Sequence, residues 1–248
     1  MTRAADSSTA RARAPAAETG ADAGQPDADL VAPRPAGGRT RRLNEAKILT
    51  AAEAVFAEAG YNGASMQAIA ERAGLPKANL HYYFGTKETL YRTLLSRILD
   101  MWVEAFDHIQ SDRDPADALA DYIRDKMTWS RTRPLASKVF ANEVVHGAQQ
   151  IEGYLSEKLR RRVEEKAEVI RGWIAEGRMA EVDPRHLFFV LWAATQTYAD
   201  FGAQVRAVLG RERLGPHDWE AATAEVTRLV LRGCGLTPPQ DEAEEAAQ

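Results

Sequence analysis

Trp192, Gln196 and Asp200 stand four residues apart in the segment FFVLWAATQTYADF (188–201). On a helix they fall along one stripe. Burying an amide or a carboxylate without partners costs roughly 1–3 kcal/mol for an unsatisfied group, and more for a charge. Three partners could satisfy this stripe: neighbouring helices, water, or a small polar ligand. On the residues alone, Gln196 could bond across a helix or dimer interface and Trp192 could simply fill core. Asp200 could pair with an arginine such as Arg206 or Arg171.

Other reactive chemistry has little support. The histidines are His81, His108, His146, His186 and His217, and they form no HxxxH or HExxH pair. The single cysteine, Cys234, has no companion for a disulfide or a metal site. There is no phosphate-cradling glycine loop after a strand and no nucleophile elbow. No catalytic residue, metal or cofactor is therefore expected. His146 with Glu143 reads as a solvated pair. The run KLRRRVEEKAE (158–168) reads as a solvated face with pairs such as Arg160–Glu164 and Arg161–Glu165.

The chain of 248 residues carries a net charge of −4, which taken alone argues against nucleic acid. Its distribution argues the other way. Residues 39–97 hold nine basic and five acidic side chains, a net of +4, which leaves −8 for the rest. A basic segment on an acidic body is the asymmetry expected when one part touches phosphate. The longest apolar run, LFFVLWAA (187–194), is far too short to span a bilayer, and the start of the chain lacks the apolar core of a signal peptide. A cytoplasmic location is expected.

Residues 1–38 are rich in Ala, Pro, Gly, Asp, Ser, Thr and Arg, and after Met1 only Leu30 and Val31 are large aliphatics. Such a segment cannot bury enough surface to offset its ordering entropy, so a disordered tail is expected. Residues 237–248 read as a flexible acidic tail. Between the tails only helical periodicity is found, which predicts an all-α chain. Helices are expected at about 41–59, 65–73, 77–84, 87–110, 115–133, 134–147, 152–177, 184–208 and 217–233.

The stretch MQAIAERAGLPKANLHYYFG (66–85) fits a helix-turn-helix. Counting from Met66, Ala70 is fifth, where two helices cross closely, and Gly74 is ninth, where the turn needs a left-handed backbone. Ile69, Ala73, Leu75, Leu80 and Tyr83 fall where apolar contact is required. The second helix of such a unit enters the major groove. Its exposed residues are expected to be Lys77, Ala78, Asn79, His81 and Tyr82. Lys77 can reach a guanine edge or a phosphate, and Asn79 a base edge. Lys87, at a helix start, could hold a phosphate together with the helix amides.

The block Arg41–Leu95, centred on AGYNGASMQAIAERAGLPKANLHYYFGTKETLY, resembles the TetR family of bacterial transcription regulators. Tyr82, Tyr83 and Phe84 match the family's aromatic helix end, Thr86 its cap and Lys87 its lysine; His81 stands where the family commonly has a phosphate-contacting tyrosine. Ser65 and Met66, opening the first helix of the unit, complete the set expected at DNA. The resemblance implies an all-helical homodimer. Each subunit would carry an N-terminal three-helix DNA-binding domain (39–99) and a C-terminal helical domain for effector binding and dimerisation (100–236). DPRHLFFVLWAATQTYADFGAQVRAVLG (183–210), ILDMWVEAF (98–106) and RTRPLASKVFANEVVHGA (131–148) resemble the pyrimidine-utilisation (Rut) repressor branch.

That branch implies a repressor released by uracil or thymine, with a pocket drawing on Trp192, Gln196 and Trp102, and on Asp200. The residue types suit such a ligand. A glutamine amide sets a donor beside an acceptor and can pair with a ring N–H and carbonyl. An indole can stack on the ring, and a carboxylate can accept from a remaining N–H. Trp102 lies fifteen residues after Lys87, roughly 22 Å along one helix at 1.5 Å per residue. A ligand that favours one tilt of that helix would alter the spacing of the two recognition helices. Two alternatives stand beside this reading: the same DNA reader sensing another small molecule, and a helical enzyme or adaptor with a fortuitous helix-turn-helix-like pair.

Overall fold

The first helix, α1 (Gly37–Gly63), shows why the amino-terminal elements form where they do. Ile48, Ala51, Ala52, Val55 and Phe56 recur at helical spacing and are all buried. Gly60 breaks the helical geometry with φ 66° and ψ 177°, a conformation open to glycine. The computed structural model describes residues 37–238. The tails expected at 1–38 and 237–248 lie outside the described residues, except that 37 and 38 begin α1 and 237–238 follow the last helix.

Next come α2 (Met66–Ala73), α3 (Lys77–Phe84) and α4 (Lys87–Glu104). Ser65 Oγ caps α2 by accepting from the Ala68 N–H at 3.1 Å, and Gly74 ends it at φ 65°. Thr86 Oγ1 caps α4 through the Thr89 N–H at 3.1 Å. The body of the chain follows with α5 (Pro115–Thr132), α6 (Pro134–Val145), α7 (Arg160–Ala175), α8 (Pro184–Asp200), α9 (Gly202–Leu209) and α10 (Pro216–Gly233). Asp183 caps α8, accepting from the N–H groups of Arg185 and His186. Among the described residues there is no strand, and no helix is long and apolar enough to cross a membrane.

Three helices differ from expectation. The connector α4 stops at Glu104 and tightens into a 3₁₀ turn, Ala105–His108. The helix expected from 152 opens as a π-helical segment, Tyr154–Leu159, and ends at Ala175. The helix expected over 184–208 divides at Phe201 (φ −107°, ψ 29°), next to Gly202, since glycine is a poor helix former. On α7, Arg161 pairs with Glu165 at 3.9 Å, but Glu164 turns to Arg171 and Arg185 rather than to Arg160.

Two hydrophobic cores result. One is built from α1 to α4 and also takes in Ala136 and Val139 of α6, and Ile151. The other gathers Phe106, Tyr122, Ile123, Trp173, Phe188, Leu191 and Leu231 from the remaining elements. Cys234 is buried in the second core, and burial pushes its thiol up to about 11. Arg133 at the head of α6 pairs with Glu53 of α1 at 2.6 Å, fastening α6 to the first core.

Candidate functional site

The amphipathic pattern of α3 decides which side it offers to solvent. Leu80 and Phe84 are buried, while Lys77, Ala78, His81 and Tyr82 are exposed and Asn79 is half-buried. Tyr82 is 74% exposed and meets Tyr83 edge-on with ring centres 5.2 Å apart. His81 Nδ1 lies 2.8 Å from the Gly85 carbonyl oxygen, so that nitrogen donates to the helix end and leaves Nε2 outward. Ser65 and Thr86 are exposed, each with its hydroxyl already serving as a helix cap.

Three residues of the expected DNA set face inward. Met66 is 8% exposed and belongs to the first core, so only its backbone N–H, at the start of α2, is free to meet a phosphate. Tyr83 is half-buried, and its hydroxyl accepts from Asn44 Nδ2 at 3.3 Å. Lys87 corrects the sequence expectation most clearly. Its ammonium donates to the carbonyls of Tyr61 (2.8 Å) and Ala64 (3.0 Å) and lies 4.5 Å from the centre of the Tyr61 ring. Those carbonyls lie in the turn that follows the kink of α1 at Gly60, so Lys87 ties that turn to the start of α4 and braces the unit from behind.

At the far end of α4 lies a cavity of about 50 Å³, partly open to solvent. Trp102, Trp192 and Gln196 all line it, as the resemblance implied. Trp102 packs edge-on against Phe140 of α6, with ring centres 4.8 Å apart and planes at 83°. Trp192 Nε1 donates to Tyr122 Oη at 2.8 Å, which fixes the indole, and Phe188 stacks behind it at 6.2 Å and 27°. The Gln196 amide has no hydrogen-bond partner among the described residues, so its paired donor and acceptor are available to the cavity. The cavity straddles the two cores. Leu99, Trp102 and Phe140 belong to or pack on the first, whereas Val103, Phe106, Tyr122, Leu159 and Trp192 belong to or pack on the second.

Asp200 lies outside the cavity lining. Its carboxylate accepts from Ser137 Oγ of α6 at 2.5 Å, not from Arg206 or Arg171. Burial raises its pKa, an effect opposed by the Ser137 bond and by the charges of Lys126 and Lys138. Asp200 is the last residue of α8, and the tie to Ser137 engages its carboxylate with α6.

Sequence reasoning missed Lys126. It lines the cavity, is 3% exposed, and holds its ammonium 4.3 Å from the centre of the Trp102 ring. Burial pulls its pKa down to about 7, with Asp200 opposing. A signal was present: Leu119, Tyr122, Lys126 and Ser130 form a single stripe of α5, and all are buried. Among the described residues no cluster of three or more His, Cys, Asp or Glu is placed to hold a metal ion.

Comparisons with known proteins agree with this arrangement. The model of the bacterial regulatory proteins of the tetR family matches residues 48–94, and that of the YcdC-like protein C-terminal region matches residues 95–237. The HTH-type transcriptional regulator RutR of Escherichia coli is 39% identical over 199 residues, covering 79% of this chain and 94% of that one. Among solved structures, the ketosteroid transcriptional regulator KstR2 of Mycobacterium tuberculosis superposes with a TM-score of 0.63 at 19% identity, over 77% of this chain and 94% of that one. A TetR-like regulator from Rhodococcus sp. RHA1 gives 0.58 at 22% identity, over 78% and 96%. At such identities the two structures speak for the fold alone.

Proposed function

The chain belongs to the TetR family of bacterial regulatory proteins and is a DNA-binding transcriptional regulator, and from that premise we propose a homodimeric repressor released from its operator by a free pyrimidine base, uracil or thymine. The observation that carries the effector reading is the meeting of Trp102, Trp192 and an unpartnered Gln196 in one cavity. The indoles can sandwich or flank a flat ring, and the amide can pair with one of its N–H and carbonyl edges. The similarity to RutR over most of both chains supports the same choice.

The reader is assigned to residues 39–99 and the effector-binding and dimerising part to 100–236. Lys77, Ala78, Asn79, His81 and Tyr82 face the major groove. Ser65, Thr86 and the backbone at Met66 lie at its phosphate edge. Tyr83 and Lys87 act behind them, as supports. A copy-to-copy interface fits the outer faces of α8 to α10, where Phe189, Val190, Phe201, Val208, Leu209 and Leu229 are exposed. A two-fold pair could then set two α3 helices about one DNA turn apart, near 34–36 Å. Acting on chromosomal operators, the protein would work in the cytoplasm.

Coupling follows from the seam position of the cavity. A base held between Trp102 and Phe140 on one side and Trp192 on the other favours one distance between the two cores. Because α6 is part of the first core through Ala136 and Val139, that preference is transmitted to α1–α4 as a body. A coupling of on the order of 1–3 kcal/mol changes operator occupancy several-fold or more. The test is a titration of uracil into the complex of purified protein with a duplex selected by it from random sequence. Release of the duplex is expected, whereas affinity unchanged by uracil and by thymine would remove the pyrimidine effector.

A further inference from the structure

Stacking on Trp102 and Trp192 and pairing with Gln196 leave one charged side chain of the cavity without a task. Lys126 is almost wholly buried, and among the described residues it forms no salt bridge, Asp200 acting on it only as a charge at longer range. A buried ammonium with free N–H groups is costly, and a methionine would fill the same space without that cost. Its surroundings do not neutralise it by contact. From α4 it meets the Trp102 ring. On its own helix, Tyr122 already receives the Trp192 N–H. On α8, Asp200 attracts it at longer range but is bonded to Ser137, and on α6 the charge of Lys138 also bears on Asp200.

We infer that Lys126 selects the effector by donating a hydrogen bond to a ring carbonyl oxygen, and that effector binding is coupled to uptake of a solvent proton by this lysine. The inference rests on the pyrimidine reading and narrows it to bases with an oxo group facing Lys126. A protonated lysine offers three donors and no acceptor. The oxo groups of uracil and thymine suit it, whereas the amino group that replaces one of them in cytosine would set N–H against N–H. Such a mismatch buries unpaired polar groups on both sides, which is an effective basis for rejection.

The pH dependence has a definite sign. In the empty cavity burial holds Lys126 near 7. A ligand oxygen favours the charged form and raises that value. Below about pH 7 the lysine is already protonated, so affinity is flat; above it binding must recruit a proton, and affinity falls as pH rises.

The experiment is calorimetric titration of the full-length protein with uracil, thymine and cytosine. It is run from about pH 6 to about pH 8.5 in pairs of buffers with different ionisation heats, so that proton exchange is read directly. Uptake approaching about one proton at the upper pH and almost none at the lower is expected, with cytosine binding absent or at least about tenfold weaker than uracil. Lys126→Met should lose the proton uptake and weaken uracil by about tenfold or more. Uracil binding with no proton exchange at any pH overturns this inference and leaves the pyrimidine reading intact; so does a folded Lys126→Met protein that binds uracil as tightly as the parent. Absence of binding by both uracil and thymine overturns the two together. The proton count on the unmodified protein decides the matter even if the variant fails to fold.

Discussion

Around α3 the polar side chains point outward with few protein partners, and the apolar ones, Leu80 and Phe84, simply anchor the helix. Around the cavity the arrangement is reversed: aromatic rings from four helices form the wall, and two polar side chains, Gln196 and Lys126, line it among them. The outer face is suited to a partner that brings its own charge and water. The inner site is suited to one that must give up water and be recognised at every edge. The two meet through α4 and α6, whose residues serve the first core and the cavity wall at once. Under the proposed function, recognition of DNA and recognition of the effector differ in chemistry but share a body.

If that division is right, Gln196→Leu should reduce affinity for uracil by roughly a hundredfold, about 2–3 kcal/mol, measured by calorimetry. Operator affinity without ligand should hardly move, and a comparable loss there would break the distinction between the two sites. Lys126→Met should stabilise the empty protein by about 2 kcal/mol in denaturant unfolding, since it removes a buried, unpaired charge. The sign with pH is fixed. The folded value near 7 lies below the ordinary 10.5, so the parent gains stability as pH rises between them. The advantage of the variant should therefore be greatest below about pH 7 and shrink above it. A constant advantage across this range would mean that the lysine stays protonated in the empty cavity, with no lowering of its pKa.

On the outer face, Lys77→Ala should weaken operator binding by about 1–2 kcal/mol and lower the salt slope by about one, with uracil affinity intact. Lys87→Ala should leave the salt slope unchanged, because its ammonium is committed to Tyr61 and Ala64. An equal loss of slope for both would restore Lys87 to the phosphate-binding set. The smallest effect concerns the shared body. Arg133→Ala removes the pair with Glu53, whose side chain is only 12% exposed, and should alter the uracil-induced loss of operator affinity by up to about 1 kcal/mol. Equal release curves for parent and variant would show that this clamp is not part of the coupling.

What could be read from the sequence depended on how local the cause was. Ser65, Gly74 and Thr86 act within a few residues of themselves, so α2, α3 and the start of α4 stand where spacing predicted. The Trp192–Gln196 stripe was legible because four-residue spacing fixes a face. Lys126 was not, because its burial is imposed by α4 and α8, which are distant in the chain. Lys87 misled for a related reason: its place at a helix start suggested an anion, while the carbonyls of Tyr61 and Ala64, more than twenty residues earlier, already lay within its reach. Asp200 keeps its place on the stripe of α8, but a tertiary bond to Ser137 that no periodicity could announce engages its carboxylate.

The π-helical segment Tyr154–Leu159 has a bearing on how the cavity could diversify. Its Tyr154 hydroxyl donates to Asp100 of α4 at 3.0 Å, Lys158 pairs with the same carboxylate, and Leu159 closes part of the cavity wall. Each residue in an α-helix turns the next by about 100°. Loss of a single residue here, converting the wide turn to an ordinary one, would swing a different side chain into the position of Leu159 and leave Trp192 and Gln196 untouched. A short deletion could thus retune which molecule the chamber admits while the DNA-reading surface is inherited unaltered.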